Sequence, residues 1–125
     1  MKYLLDTHVL LWLAEGGGDI APAALDALGD PASDVVVSVA SLWELAIKEA
    51  LGKLRLPQTA EAMCAALGLR VINVRTAHVV ALRTLPPLHR DPFDRMLVAT
   101  AAAEGAVLVS RDVAVLRYAV ATLAV

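Results

Sequence analysis

Four acids stand where an apolar stretch gives way to a helical one, or in the first turn of a helix: Asp6, Glu44, Asp94 and Asp112. Tyr3-Leu4-Leu5 runs straight into Asp6, Glu44 follows Ser41-Leu42-Trp43, Asp94 follows Asp91-Pro92-Phe93, and Ala106-Val107-Leu108-Val109-Ser110-Arg111 ends on Asp112. Each acid has a purely structural reading. Ser41 and Glu44 have capping-box spacing, Asp91-Pro92 reads as an N-cap and first-turn proline with Asp94 at N3, and Asp6 and Asp112 can cap the helices that follow them.

Taken together, capping explains them poorly. Carboxylates crowded at one place repel by about 1–4 kcal/mol per pair, whereas a cap contributes about 1 kcal/mol and Ser or Asn supplies it without the repulsion. A divalent cation removes the conflict. All-oxygen donors suit Mg²⁺ or Mn²⁺, and no Cys/His spacing competes for zinc.

The elements that must bring the acids together follow from the apolar pattern. Strands are expected at Tyr3–Leu5, Val35–Val37, Arg70–Val74, Ala106–Val109 and Ala121–Ala124. Helices are expected at Val9–Ala14, from Pro22 to Gly29, from Ser41 to Gly52, from Leu56-Pro57 to Leu67, from a Thr76 cap to Leu82, from Pro92 to Gly105, and from Val113 to Tyr118. The strands are short and apolar on both faces, and they alternate with helices. The chain therefore reads as an α/β fold, a parallel sheet with helices on both faces. Right-handed crossovers place the strand-to-helix junctions along one edge, where ligands bind in such folds.

The remaining features narrow the class. The 125 residues suit one domain, 1–125, with 58% hydrophobic content. Lys2 ahead of an apolar run imitates a signal peptide, but Asp6, His8 and Glu15 interrupt it. The single cysteine, Cys64, fits a reducing cytoplasm and an apolar helix face. A net charge of −2 does not advertise nucleic-acid binding, although setting the four acids aside leaves a mildly basic remainder. Gly16–Gly18 lacks the Lys-Ser/Thr of a phosphate loop, and no Ser/His/Asp nucleophile stands out. Thr7 and Ser110 neighbour the acids and can orient a water. His89 and Arg90 lie on the approach to Asp91, where they can meet phosphate. His8 reads as a helix-face residue, His78 as structural, and Trp12 and Trp43 as core.

These segments resemble a known family. Tyr3-Leu4-Leu5-Asp6-Thr7-His8, Ser38-Val39-Ala40-Ser41-Leu42-Trp43-Glu44-Leu45-Ala46-Ile47-Lys48, His89-Arg90-Asp91-Pro92-Phe93-Asp94-Arg95-Met96-Leu97-Val98-Ala99 and Ala106 to Asp112 resemble the PIN domain, in particular VapC-type toxins of bacterial toxin–antitoxin pairs. The resemblance covers essentially the whole chain in the right order. It implies a three-layer α/β/α fold with strand order 3-2-1-4-5, an acidic pocket for Mg²⁺ or Mn²⁺, and endoribonuclease activity. By it, Asp6, Glu44 and Asp94 match the core metal-binding acids. Asp112 matches the fourth, with a role through water, and Asp91 belongs to the His-x-Asp-Pro-Phe-Asp-Arg subgroup as cap, pocket support or further ligand. Bound cations would make hydroxide available for in-line attack on a phosphodiester and stabilise the leaving oxygen, giving 5′-phosphate and 3′-hydroxyl ends. Arg90, Arg95, Arg111 and Lys48 are candidates to hold the RNA backbone. The implied partners are a VapB-type antitoxin and a second copy in a homodimer, with interface helices at 41–52 and 57–67. Rival readings are a PIN-like nuclease acting on DNA, a housekeeping RNA-processing nuclease and, from another class, a Mg²⁺-binding phospho-accepting receiver domain. The receiver would want a paired acid after the first strand and a late lysine.

Overall fold

A computed structural model describes residues 1–125. A five-stranded parallel sheet in the order β3-β2-β1-β4-β5 forms the middle layer, built from β1 (Lys2–Leu5), β2 (Asp34–Ser38), β3 (Arg70–Ile72), β4 (Val107–Ser110) and β5 (Thr122–Ala124). The expected strand order is therefore observed. The helices are α1 (Thr7–Ala14), α2 (Pro22–Gly29), α3 (Val39–Ala50), α4 (Ala60–Ala66), α5 (Thr76–Leu82), α6 (Pro92–Glu104) and α7 (Val113–Leu116).

Why the layers hold is visible in the alternation along the three central strands. Leu4, Val36 and Leu108 face one side and pack with Leu97, Val98 and Val115 from α6 and α7. Leu5, Val37 and Val109 face the other and pack with Val9, Leu10, Leu45, Ala60 and Cys64 from α1, α3 and α4. Successive residues of a strand point to opposite faces, so a run apolar at every position is buried on both. At roughly 1.5–3 kcal/mol for each fully buried Leu or Val, these pairs outweigh any single polar contact in the molecule. Gly105 closes α6 with φ 62°, the left-handed conformation that lets the chain turn directly into β4.

The register fixes the depth of the site. Leu4 pairs with Val36 and Leu108, and Leu5 pairs with Val109, so Asp6, Ser38 and Ser110 end the three central strands at one level. The Asp6 N–H continues the ladder to the Val109 carbonyl at 2.9 Å.

Several expectations are corrected. Helix α3 starts at Val39, with Ser38 accepting from the Ala40 N–H, so Ser41 and Glu44 lie one turn inside it rather than forming a capping box. Helix α4 starts at Ala60 behind a Thr59 cap, not at Pro57. Thr76 is the first residue of α5 rather than its cap, β3 stops at Ile72, and α7 stops at Leu116. Trp43 is not core: it is 62% exposed. Trp12 is half-buried, while Cys64 and His78 are buried as expected. No helix is long and apolar enough to cross a membrane.

Candidate active site at the carboxyl edge of the sheet

The carboxyl ends of β1, β2 and β4 and the N-terminal ends of α3, α6 and α7 meet along one edge of the sheet. Asp6 ends β1 and is 5% exposed. Its position is that of the α1 N-cap, yet its side chain makes no capping bond. Oδ2 instead accepts from the Ser110 hydroxyl at 2.7 Å, and Oδ1 is buried without a partner. An orphaned carboxylate oxygen in the interior costs several kcal/mol unless something meets it. Burial, the largest effect, pushes Asp6 above the ordinary carboxylate range. The Ser110 bond, the His8 charge and the Thr7 N–H act in the other direction, and the charge of Glu44 adds to the rise.

Glu44 is 6% exposed and fully satisfied. Its Oε1 accepts from Thr7 at 2.8 Å and its Oε2 from Lys48 at 2.9 Å. The Thr7 and Ser41 hydroxyls are 2.9 Å apart. A hydroxyl carries one proton, so Thr7 donates to the carboxylate and accepts from Ser41. Lys48 sits one turn beyond Glu44, the Glu-to-Lys orientation favoured on helices. Its ammonium is held protonated above the ordinary range by the Glu44 bond, against burial, with further help from the charges of Glu44, Asp91 and Asp94.

Asp91 is a true cap of α6, its Oδ1 accepting from Phe93 N at 2.8 Å and Asp94 N at 3.2 Å. Asp94 follows at the third helical position. Burial first, then the charges of Asp6 and Asp91, push it up to about 7; Glu44 adds to this and His89 opposes it. Asp112 caps α7, with Oδ1 accepting from Ala114 N at 2.8 Å and Val115 N at 3.4 Å. Burial raises Asp112, but the His89 contact and the two N–H groups outweigh it and hold the carboxyl below the ordinary range.

His89 joins the last two acids. Its Nε2 lies 3.0 Å from Asp94 Oδ2 and 3.1 Å from Asp112 Oδ2, and its Nδ1 accepts from the Asp91 N–H at 3.1 Å. Burial lowers its pKa, yet the Asp112 bond and the charges of Asp94, Asp112 and Asp91 together raise it. The sequence showed His89 only as a neighbour of Asp91; its bridge to residue 112 depends on the fold. Ser41 was also missed as a member of the Glu44 network. Its spacing from Glu44 was visible but pointed to a cap.

Of the remaining candidates, Ser110 links the halves, since its hydroxyl accepts from Asp112 N at 3.0 Å while donating to Asp6. Arg90 is exposed beside the site. Arg95 is committed within the fold, to Pro86 O at 3.0 Å and Tyr118 Oη at 3.2 Å. Arg111 is also committed: it donates to Val125 O at 2.7 Å and to Asp19 O, and it lies 4.2 Å above the Trp12 ring. Asp94 and Asp112 converge with His89 within 4.8 Å. Ser110 ties Asp6 to Asp112, Thr7 ties to Glu44, and the charges of Asp6, Glu44 and Asp91 act on Asp94. The two bound arginines belong to the scaffold.

A divalent cation fits this donor set. The donors are carboxylate oxygens, one of them buried and unpartnered, and Asp94 is raised by burial first and then by neighbouring negative charge, the part a cation would cancel. Together fold and site define a parallel α/β protein with an acidic pocket at the carboxyl edge of its sheet. The PIN domain profile matches residues 3–121, and the chain belongs to the PIN domain family. Among solved structures it is similar to VapBC2 from Rickettsia felis bound to a promoter DNA fragment, with TM-score 0.76 and 18% identity over 99% of this chain and 98% of that one. DNA-bound VapBC from Salmonella typhimurium gives TM-score 0.67 and 15% identity over 99% and 98%. VapBC-1 from nontypeable Haemophilus influenzae gives 0.66 and 21% over 94% and 91%. No curated protein matches the chain in sequence.

Proposed function

We propose that this chain is a Mg²⁺- or Mn²⁺-dependent endoribonuclease and the toxin of a VapBC-type toxin–antitoxin pair, acting in the cytoplasm. The observation that carries the reading is the Asp6 carboxylate, buried with one oxygen unpartnered and adjoined by three further acids in a PIN fold. Asp6 and Asp94 would hold the cation, with Glu44 and Asp112 completing the site. When bound, the cation supplies a nucleophilic hydroxide at neutral pH and stabilises charge on the phosphoryl and leaving oxygens. The chain supplies the rest. Thr7 and Lys48 fix Glu44, Ser110 fixes Asp6 through its Oδ2, and Asp91 caps the start of α6, where Asp94 stands. Arg90 is the free guanidinium placed to meet the RNA backbone.

The VapBC neighbours support a VapB-type antitoxin as partner. A homodimer is supported by an apolar stripe at helical spacing along α3 and its C-cap, Trp43, Ile47 and Leu51, which are 62%, 36% and 64% exposed. Exposed Val74, Val79 and Val80 extend the apolar surface on and next to α5.

The test is cleavage of total RNA and of single-stranded DNA by purified protein with Mg²⁺ or Mn²⁺. RNA is cut to 5′-phosphate and 3′-hydroxyl ends, chelation stops the reaction, and Asp6→Asn and Asp94→Asn are inactive with unchanged circular dichroism. Equal cleavage by wild type and both variants would mean that a contaminating ribonuclease explains the signal. Cleavage confined to DNA would replace the substrate.

A further inference from the structure

His89 stands between Asp94 and Asp112, and the geometry points to a role there: we propose that its imidazole is an internal stand-in for the cation, which it obstructs and which displaces it. The inference rests on the metal-dependent reading above and concerns a residue to which that reading gives no role.

Two features of the ring settle which way it acts. Its Nδ1 accepts the Asp91 N–H at 3.1 Å, so the Nδ1 lone pair is already used and the ring proton sits on Nε2. Nε2–H is then a donor aimed between two carboxylate oxygens, Asp94 Oδ2 at 3.0 Å and Asp112 Oδ2 at 3.1 Å. The three ligand atoms of His89, Asp94 and Asp112 lie within 4.8 Å of one another, the size of a cation's coordination sphere. A ring donating a proton into that space cannot at the same time offer a lone pair to a metal. To become a ligand through Nε2, it would have to move its proton to Nδ1 and break the Asp91 bond. The less disruptive event is a swing of the side chain out of the space. The backbone is held for such a swing: the His89 N–H donates to the buried Tyr118 hydroxyl at 2.9 Å, and the same hydroxyl accepts from Arg95.

The other acids fit the same reading. Glu44 has its own internal cation in Lys48 at 2.9 Å, and Asp94 and Asp112 share His89, whereas Asp6 has only a neutral hydroxyl on Oδ2 and a buried Oδ1 with no partner. An entering cation meets Asp6 unopposed and must win Asp94 from the imidazole. His89 is thus a positioning residue that keeps two carboxylates converged in the metal-free protein and lowers their affinity for the metal.

Mn²⁺ titration followed by electron paramagnetic resonance tests this on the purified full chain. His89→Ala binds Mn²⁺ about fivefold or more tightly than wild type, because a charge-assisted competing donor is gone. His89→Gln, which retains an N–H donor at similar reach, stays near wild type. Weaker or unchanged binding by His89→Ala would overturn the proposal, weaker binding marking His89 as a ligand. If His89→Ala does not fold, ¹⁵N spectra of the wild-type histidine side chains decide. On adding Mg²⁺ the His89 Nε2 keeps its proton and loses its hydrogen-bonded shift; loss of that proton would contradict displacement. Asp94→Asn is the control for the underlying reading. If it binds Mn²⁺ as well as wild type does, or if neither binds, the cation reading itself fails and the proposal with it.

Discussion

Asp6 and Glu44 reach the pocket from the sheet side and are fastened by neutral hydroxyls and one lysine, whereas Asp94 and Asp112 stand on helix N-termini and share one imidazole. The difference shows which forces govern each half. Asp6 and Glu44 are 5% and 6% exposed, so their geometry is set by packing and by hydrogen bonds that would persist with or without a cation. The helix-end acids gain a dipole contribution of only about 0.3–1 kcal/mol each. For Asp94 this is overwhelmed: its rise from 3.8 to about 7 disfavours the charged form by about 2–4 kcal/mol once solvent screening is allowed for, through burial and neighbouring acids. Asp112, more exposed and holding two backbone N–H bonds, goes the other way. The hydroxyl-fastened half is preformed; the helix-end half is held in place by a replaceable group.

The sharpest way to break this comparison is to remove one acid from each half. Asp6→Asn and Asp94→Asn each lower RNA cleavage by about a thousandfold or more, the scale expected when charge stabilisation in a reacting centre is lost. Both leave the metal-free melting temperature equal or higher, since each removes a disfavoured buried charge. A variant that loses activity by unfolding would show the opposite in a thermal melt.

The pH dependence of stability separates the halves next. Asp94 has its folded pKa raised above the unfolded value, so the folded state binds its proton more tightly. The associated stability is present in full below about pH 4 and is lost as pH rises through about 7. Metal-free protein is therefore expected to lose about 2–4 kcal/mol from this group across that window, measured by urea unfolding. Mg²⁺ offsets the loss, raising the melting temperature at pH 8 and having little effect at pH 5. An Mg²⁺ effect as large at pH 5 as at pH 8 would place the cation away from Asp94.

Thr7→Val tests the fastened half more gently. It removes the hydroxyl that donates to Glu44 and takes the Ser41 proton, and it costs about 1–3 kcal/mol because Glu44 Oε1 is left buried and unmet. The smallest effect on folding is expected at Trp43. Although exposed on α3, Trp43 packs edge-to-face on Phe93 with ring centroids 5.0 Å apart, so Trp43→Ser lowers monomer stability by about 0.5–1.5 kcal/mol. It nevertheless shifts sedimentation from dimer towards monomer if the apolar stripe is the interface.

What the sequence revealed follows the same division. Asp91-Pro92 and the end of the Ala106–Val109 run announce helix starts through local chemistry, so the capping positions of Asp91 and Asp112 were legible. Glu44 was placed one turn wrongly because Ser41 imitates a cap that Ser38 in fact provides from the end of β2. Trp43 was misassigned because α3 is apolar on more than one face, and periodicity does not say which face meets the sheet. The links from His89 to Asp112 and from Ser110 to Asp6 span 23 and 104 residues; the register of β1 on β4 creates the second, and the packing of the segment before α6 against the end of β4 creates the first. Arg95 and Arg111 look like free phosphate binders in sequence, yet carbonyls far along the chain and one aromatic ring occupy them.

The central claim is that one cation joins the preformed half to the replaceable half. Anomalous diffraction at the manganese edge from crystals soaked in Mn²⁺ tests it most directly. A peak is expected within coordination distance of Asp6 Oδ1 and an Asp94 oxygen, with the His89 ring displaced from between Asp94 and Asp112. A peak held by His89 Nε2 would contradict the displacement, and a pocket without any peak at millimolar Mn²⁺ would contradict the site itself.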